Sequence, residues 1–381
     1  MNELYTRCEA QLPEFMKLWE QLVNIDSGTG TVPGLVKVAE ILEARLKNSG
    51  FSVTRHPAPG GDHSLVATRR GKGGKSILFM AHMDTVFGPG TAAERPFTVN
   101  GDWAHGPGVS DCKAGVTTII FGLDLLKDFD RFGTISVLFN CDEEIGSPYS
   151  GELVKELAKS HDFVLSYEPG GVNDKVTVAR KGSGNIHVTV RGKASHAGSA
   201  PEEGCNAYME LVWQVSRMAK LADPAKKTTV NFTKCVCGDR INVIPDKAEA
   251  WADVRVTQAE EVDRLEKELK RLSAECSIEG TTTEAVLAMS QPPFPRNAAT
   301  DELAAFAASV YGEIGRELPA IEVGGAGDAN TVASVGGKVL DSLGPAKGGP
   351  NHCPEEKAHI PTVVPRMYLL VRMVQELGGK A

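Results

Sequence analysis

The chain has no uninterrupted apolar run near the ~20 residues that a membrane-spanning helix needs. It also lacks a clustered basic face. Lys and Arg number 41 against 49 Asp and Glu, a formal net charge of -8, which argues against nucleic acid as the main partner. The N-terminal Met1-Asn2-Glu3-Leu4-Tyr5-Thr6-Arg7-Cys8 has no basic region followed by an apolar core, so no secretory signal is read there. A cytoplasmic location is the expectation, with export through a removed signal left open. The eight cysteines (Cys8, Cys112, Cys141, Cys205, Cys235, Cys237, Cys276 and Cys353) form no C-x-x-C pair, as expected of reduced thiols. Tandem repeats and low-complexity tracts are missing too. With 381 residues, 41% hydrophobic and 24% charged, a compact enzyme of two or three domains is favoured.

What is present is a set of acids and histidines that follow apolar, strand-like runs. His82-Met83-Asp84 follows Ile77-Leu78-Phe79-Met80, Glu143-Glu144 follows Val137-Leu138-Phe139, and Glu168 follows Phe163-Val164-Leu165. Asp111 sits in the glycine-rich Gly106-Pro107-Gly108-Val109-Ser110, and His352 lies near the C-terminus. Imidazole and carboxylate without paired thiolate suit a catalytic rather than a structural zinc, and there are more of them than one tetrahedral ion uses. His82 and Asp84, two apart on a strand, face the same side, so Asp84 can orient a ligating His82. Read singly, each has a plainer alternative: a surface H-x-D, a helix cap at Asp111, solvated loop acids at Glu143 and Glu144. Charge favours the set, because Asp111, Glu144 and Glu168 offset most of the charge of two divalent cations while His82 and His352 stay neutral. Glu143 is then free to act as a base.

The spacing of apolar residues predicts an α/β layer fold in the first half, with helices around 15–25 and 35–46, strands at 51–55, 65–69, 77–81, 134–139 and 163–167, and helices over 114–129 and 152–159. From about 182 the order becomes β-α-β-β-α-β: strand 186–190, helix 206–221, strands 228–236 and 248–256, helix 260–274 and a β-prone run at 276–288. That is a split βαβ sandwich. Residues 1–181 and 291–381 are therefore read as one α/β domain with a central mixed sheet, interrupted by an inserted domain over 182–290. The last part adds helices at 301–315 and 360–377 and short strands at 320–323 and 339–343. The turn Gly324-Gly325-Ala326-Gly327-Asp328 lacks a spaced nucleotide fingerprint and reads as a loop with Asp328 capping the next helix.

Together these motifs resemble the zinc-dependent exopeptidase and deacylase family that includes glutamate carboxypeptidase, succinyl-diaminopimelate desuccinylase, acetylornithine deacetylase, peptidase T and aminoacylase. The resemblance covers nearly the whole chain and is nearest to the folate-cleaving glutamate carboxypeptidases. It implies two Zn2+ per chain, with Co2+ or Mn2+ as substitutes, held by His82, Asp111, Glu144, Glu168 and His352. Asp84 would orient His82, Asp111 would bridge and precede a cis peptide bond, and Glu143 would be the catalytic base. It further implies a ferredoxin-like dimerisation domain and a homodimer, with His196 in Lys193-Ala194-Ser195-His196-Ala197-Gly198 reaching the opposite subunit's active site. Asn242, Arg255 and Lys175 resemble substrate binders, Arg255 suited to a terminal carboxylate; by themselves Arg255 reads equally as a surface salt bridge and Lys175 as a turn lysine.

The expected function is hydrolysis of an amide bond in a small peptide or N-acyl amino acid, most simply release of a C-terminal glutamate-type residue. An N-acyl-amino-acid deacylase or dipeptidase is the alternative within the family, and a catalytically silent peptide-binding protein the alternative outside it. One departure bears on the substrate. Where the folate-cleaving enzymes carry an arginine for the substrate side chain, this chain has Gln291, with Arg296 two residues past Phe294. Cys353 beside His352 reads as a packed thiol rather than an extra ligand.

Overall fold

The computed structural model describes residues 2–379, which cluster into two compact units. One comprises the chain up to Ala179, Arg296–Val323 and the chain from Gly327 onward; the other comprises Arg180–Pro295 with Gly324–Ala326.

The first unit is built on a six-stranded mixed sheet, in the order Ser52–Pro57, His63–Arg70, Thr134–Asn140, Ile77–His82, Phe163–Ser166, Val339–Leu340. The first two junctions are antiparallel and the rest parallel. Ile77–His82 is buried along its full length and Thr134–Asn140 along nearly all of it, the continuous apolar pattern of strands covered on both faces. Helices Glu3–Val23, Val32–Asn48, Gly115–Asp124 and Val363–Met373 contribute Phe15, Trp19, Leu42, Phe121 and Tyr368 to the core that includes Phe79, Val137 and Leu165. Three neighbouring parallel strands thus end side by side at His82, Asn140 and Ser166. The carboxyl edge of such strands is where α/β sheets place ligands.

A small sheet, Lys357–His359, Trp103–His105, Thr98–Asn100, was not anticipated from the sequence because its strands are only three residues long. It joins the loop bearing His352 to the loop bearing Asp111. The expected helices 114–129 and 360–377 are shorter, Gly115–Asp124 and Val363–Met373, each extended by a wide turn: Val109–Ala114 leads into the first and Val374–Gly378 follows the second.

The second unit is a four-stranded antiparallel sheet, Thr229–Cys237, Lys247–Val256, Gly182–Arg191, Thr282–Gln291. Helices Ala207–Met218 and Ala259–Ser273 pack on one face, against Ile186, Val188, Ala250, Ala252 and Val254. The last strand begins later than the β-prone run suggested. Residues 276–281 instead form a turn, its Ser277 and Ile278 N–H groups held by the Glu210 carboxylate at 2.8 and 2.9 Å.

No helix among the described residues is long and apolar enough to cross a membrane.

Candidate metal centre

His82, the last residue of its strand, is buried, with Nε2 3.0 Å from Asp111 Oδ1 and 3.7 Å from Glu168 Oε1. Asp111 reaches it from the wide turn Val109–Ala114, whose Asp111–Cys112 peptide is cis. Its other oxygen, Oδ2, lies 3.3 Å from His352 Nε2 and accepts the Asn351 side-chain amide at 2.8 Å. His352, at φ 61°, brings the same Nε2 within 3.1 Å of Glu144 Oε2. Two groups of ligand atoms result, His82, Asp111, Cys112 and Glu168 in one and Asp111, Glu144 and His352 in the other. Within each group they lie within 4.8 Å of one another, and Asp111 is common to both.

The surrounding structure fixes these donors. The buried Glu356 carboxylate accepts the N–H groups of Gly108, Ser110 and Asp111 at 3.0, 2.9 and 2.9 Å, tying the Asp111 turn to the His352 loop. Asp84 stands against the other ring nitrogen of His82. His82 Nδ1 lies 3.0 Å from the Asp84 backbone carbonyl and 3.4 Å from its carboxylate. That carboxylate also accepts the Glu143 and Glu144 N–H groups, each at 3.2 Å, and the Thr29 hydroxyl at 2.6 Å. Asp84 therefore sets the turn that carries both glutamates. Neither Asp84's backbone-directed bonds nor Glu356 was found by sequence reasoning, since each joins residues far apart in the chain.

The electrostatics are those of crowded acids out of water. Burial, then the charges of Glu168, Asp328 and Glu144, push Glu143 well above the ordinary carboxylate range, against the pull of His82. Burial also raises Glu144. Burial alone would raise Asp111 as well, but bonds from the His352 and His82 rings hold it well below the usual range. His352 is pushed up to about 10 by its bonds to Asp111 and Glu144. Cys112 is a neutral packed thiol: burial raises it and its S–H donates to the Tyr167 carbonyl at 3.1 Å. Glu144 Oε1 is buried without a hydrogen-bond partner. A donor set of this composition, with an orphaned carboxylate oxygen, fits divalent cations bound by imidazole and carboxylate.

The remaining predicted residues belong to neither ligand group. Lys175 closes the turn begun at Gly171, and the buried Arg366 bonds its carbonyl at 3.1 Å and Asp174 at 2.7 Å. In the second unit His196 pairs with Val243, and the adjacent Ala197 N–H bonds the Asn242 carbonyl at 2.9 Å, so these two motifs meet. Arg255 lies on the sheet face without helices, its guanidinium on Asp253 at 2.9 Å. Asp328 is not a helix cap; Gly327 takes that position. Cys353 donates to the Pro350 carbonyl at 3.4 Å and belongs to neither ligand group.

Residues 78–376 match the family model described as Peptidase family M20/M25/M40. The chain belongs to this peptidase family. It is 38% identical to Carboxypeptidase G2 of Pseudomonas sp. (strain RS-16), covering 99% of this chain and 92% of that protein. Acetylornithine deacetylase of Vibrio campbellii is 29% identical over 68% of this chain and 72% of its own length. The crystal structure of aminopeptidase PepT from Bacillus cereus has the same fold, with a TM-score of 0.82 at 22% identity over 96% of this chain and 98% of that one. As an M20/M25/M40 member the protein is a metal-dependent hydrolase of peptide or amide bonds.

Proposed function

We propose that this M20/M25/M40 hydrolase is a dinuclear zinc carboxypeptidase that releases a glutamate-type residue from the C-terminus of N-acyl or peptidyl substrates. The observation that carries the proposal is Asp111, whose two oxygens face His82 on one side and His352 on the other. His82, Asp111 and Glu168 would hold one ion and Asp111, Glu144 and His352 the second. When bound, two zinc ions, replaceable by Co2+ or Mn2+, polarise the scissile carbonyl and acidify water. Glu143 takes the proton from the attacking water and returns it to the leaving amine.

Residues 1–181 and 291–381 are assigned to the catalytic domain and 182–290 to a lid and dimerisation domain. Support for a homodimer comes from helix Ala207–Met218, which leaves Tyr208, Met209 and Val212 about half exposed beside the edge strand Thr229–Cys237. An unpaired sheet edge with apolar neighbours is a ready surface for a second copy. His196 of the partner subunit would polarise the substrate carbonyl, with Asn242, Arg255 and Lys175 binding substrate. Eight free cysteines suit the cytoplasm.

Specificity for glutamate rests on the resemblance and on the named relative. Gln291 is buried at a strand end; Arg296 is engaged by Asp301 at 2.8 Å and Arg255 by Asp253 at 2.9 Å, so either guanidinium would exchange its partner on receiving a substrate carboxylate. Side-by-side hydrolysis of an N-acyl-glutamate, N-acetyl-ornithine and simple dipeptides tests this. Preferential glutamate release supports the carboxypeptidase reading, whereas preferential deacetylation or dipeptide cleavage replaces it with the deacylase or dipeptidase one.

A further inference from the structure

Behind the turn that carries Glu143 and Glu144 lies a buried carboxylate outside the ligand set. Asp328 opens the helix Asp328–Ser334 and is 4% exposed. Its Oδ2 accepts the Asn140 side-chain amide at 2.6 Å and its Oδ1 the Ser147 hydroxyl at 2.5 Å. These two donors stand at the two ends of the segment 140–147. Asn140 is fixed to the sheet, since it ends a central strand and its carbonyl accepts the Met83 N–H at 2.8 Å. Ser147 lies further along the turn, where its hydroxyl also meets the Asn140 amide at 3.4 Å and its carbonyl accepts the Gly151 N–H at 2.8 Å. It adopts φ 55°, a conformation unfavourable for a residue with a side chain, and its N–H returns to the Asp142 carbonyl at 2.9 Å.

We propose that Asp328 is a positioning residue: by clamping Asn140 and Ser147 together it fixes the turn between them, and so the reach of Glu143 towards the scissile bond. Asp84 holds the middle of the same turn through the Glu143 and Glu144 N–H groups, and Asp328 holds its ends. A buried carboxylate that spends both oxygens on side-chain donors, rather than on its own helix N-terminus, serves the elements that it joins. Small displacements of a catalytic group are costly to rate. The inference rests on Glu143 being the base.

Asp328→Ala removes the acceptor shared by Asn140 and Ser147. With the best substrate of the panel above, kcat should fall roughly tenfold or more while KM stays within about twofold and metal content is unchanged. Asp328→Asn keeps the shape and an acceptor and should recover kcat to within about threefold of wild type. In a Glu143→Ala background, Asp328→Ala should cause no further loss, because its effect runs through Glu143. Ser147→Ala opens one end of the clamp and should show the same kcat pattern more weakly, which keeps the test available if Asp328→Ala fails to fold. Wild-type kcat in Asp328→Ala, a loss confined to KM, or a full additional loss on Glu143→Ala would overturn the proposal. Glu143→Ala alone separates the two levels. If it is active the base assignment fails, and if it is inactive beside a fully active Asp328→Ala only the clamp fails.

Discussion

Glu143 and Glu144 are neighbours in sequence but are held in different surroundings: Glu144 faces His352, while Glu143 sits among Glu168, Asp328 and Glu144 with its N–H on Asp84. Glu143→Ala is expected to lower kcat by about 10²–10⁴ while leaving metal content and KM near wild type, measured by steady-state kinetics with elemental analysis. A second constraint at this scale is steric. Gly115 starts its helix against the Tyr167 carbonyl, and a Cβ there would collide with that oxygen. Gly115→Ala should therefore displace the Tyr167–Glu168 segment and weaken binding of the ion assigned to Glu168, seen as faster metal loss to a chelator.

Among the elements, those with long apolar runs were legible in the sequence. Ile77–His82, Thr134–Asn140 and Phe163–Ser166 carry the buried runs that the pattern marked, and the polar residues that follow them converge at one sheet edge. Less legible were elements set by partners distant in sequence. The three-residue strands that join the His352 and Asp111 loops have no period to read, and residues 276–281 leave the sheet because Glu210 binds their N–H groups. The Asp328 and Glu356 carboxylates, and the hold of Asp84 on the Glu143–Glu144 turn, were invisible as supports for the same reason, since only the fold reveals which donors they meet. Helix Ala259–Ser273 offers a prediction free of the metal site. Arg264, Lys226 and Thr228 bond Glu261 and hold it at about 2, so its folded-state pKa lies below the ordinary 4.5. The stabilisation is then complete above about 4.5 and is lost as pH falls towards 2. Glu261→Gln should cost roughly 1.5–3 kcal/mol at pH 7 and flatten the acid limb of the stability profile, followed by denaturant unfolding across pH.

At the scale of the whole molecule, the proposal needs two copies of the chain as well as two ions. Val212→Asp puts a charge on the apolar helix face beside the exposed sheet edge and should shift the protein from dimer to monomer in sedimentation, with activity falling in step because His196 of the partner subunit is withdrawn. An active monomer would remove that part of the account. The central claim is that one carboxylate, Asp111, joins two ion sites into a single hydrolytic centre. Metal stoichiometry with hydrolysis of an N-acyl-glutamate, before and after chelation and in Asp111→Asn, tests it most directly. About two zinc ions per wild-type chain, activity lost on chelation and regained with zinc, and loss of both metal and activity in Asp111→Asn are the predicted results. Full hydrolysis by a chain holding one ion or none, or an active Asp111→Asn enzyme, would contradict it.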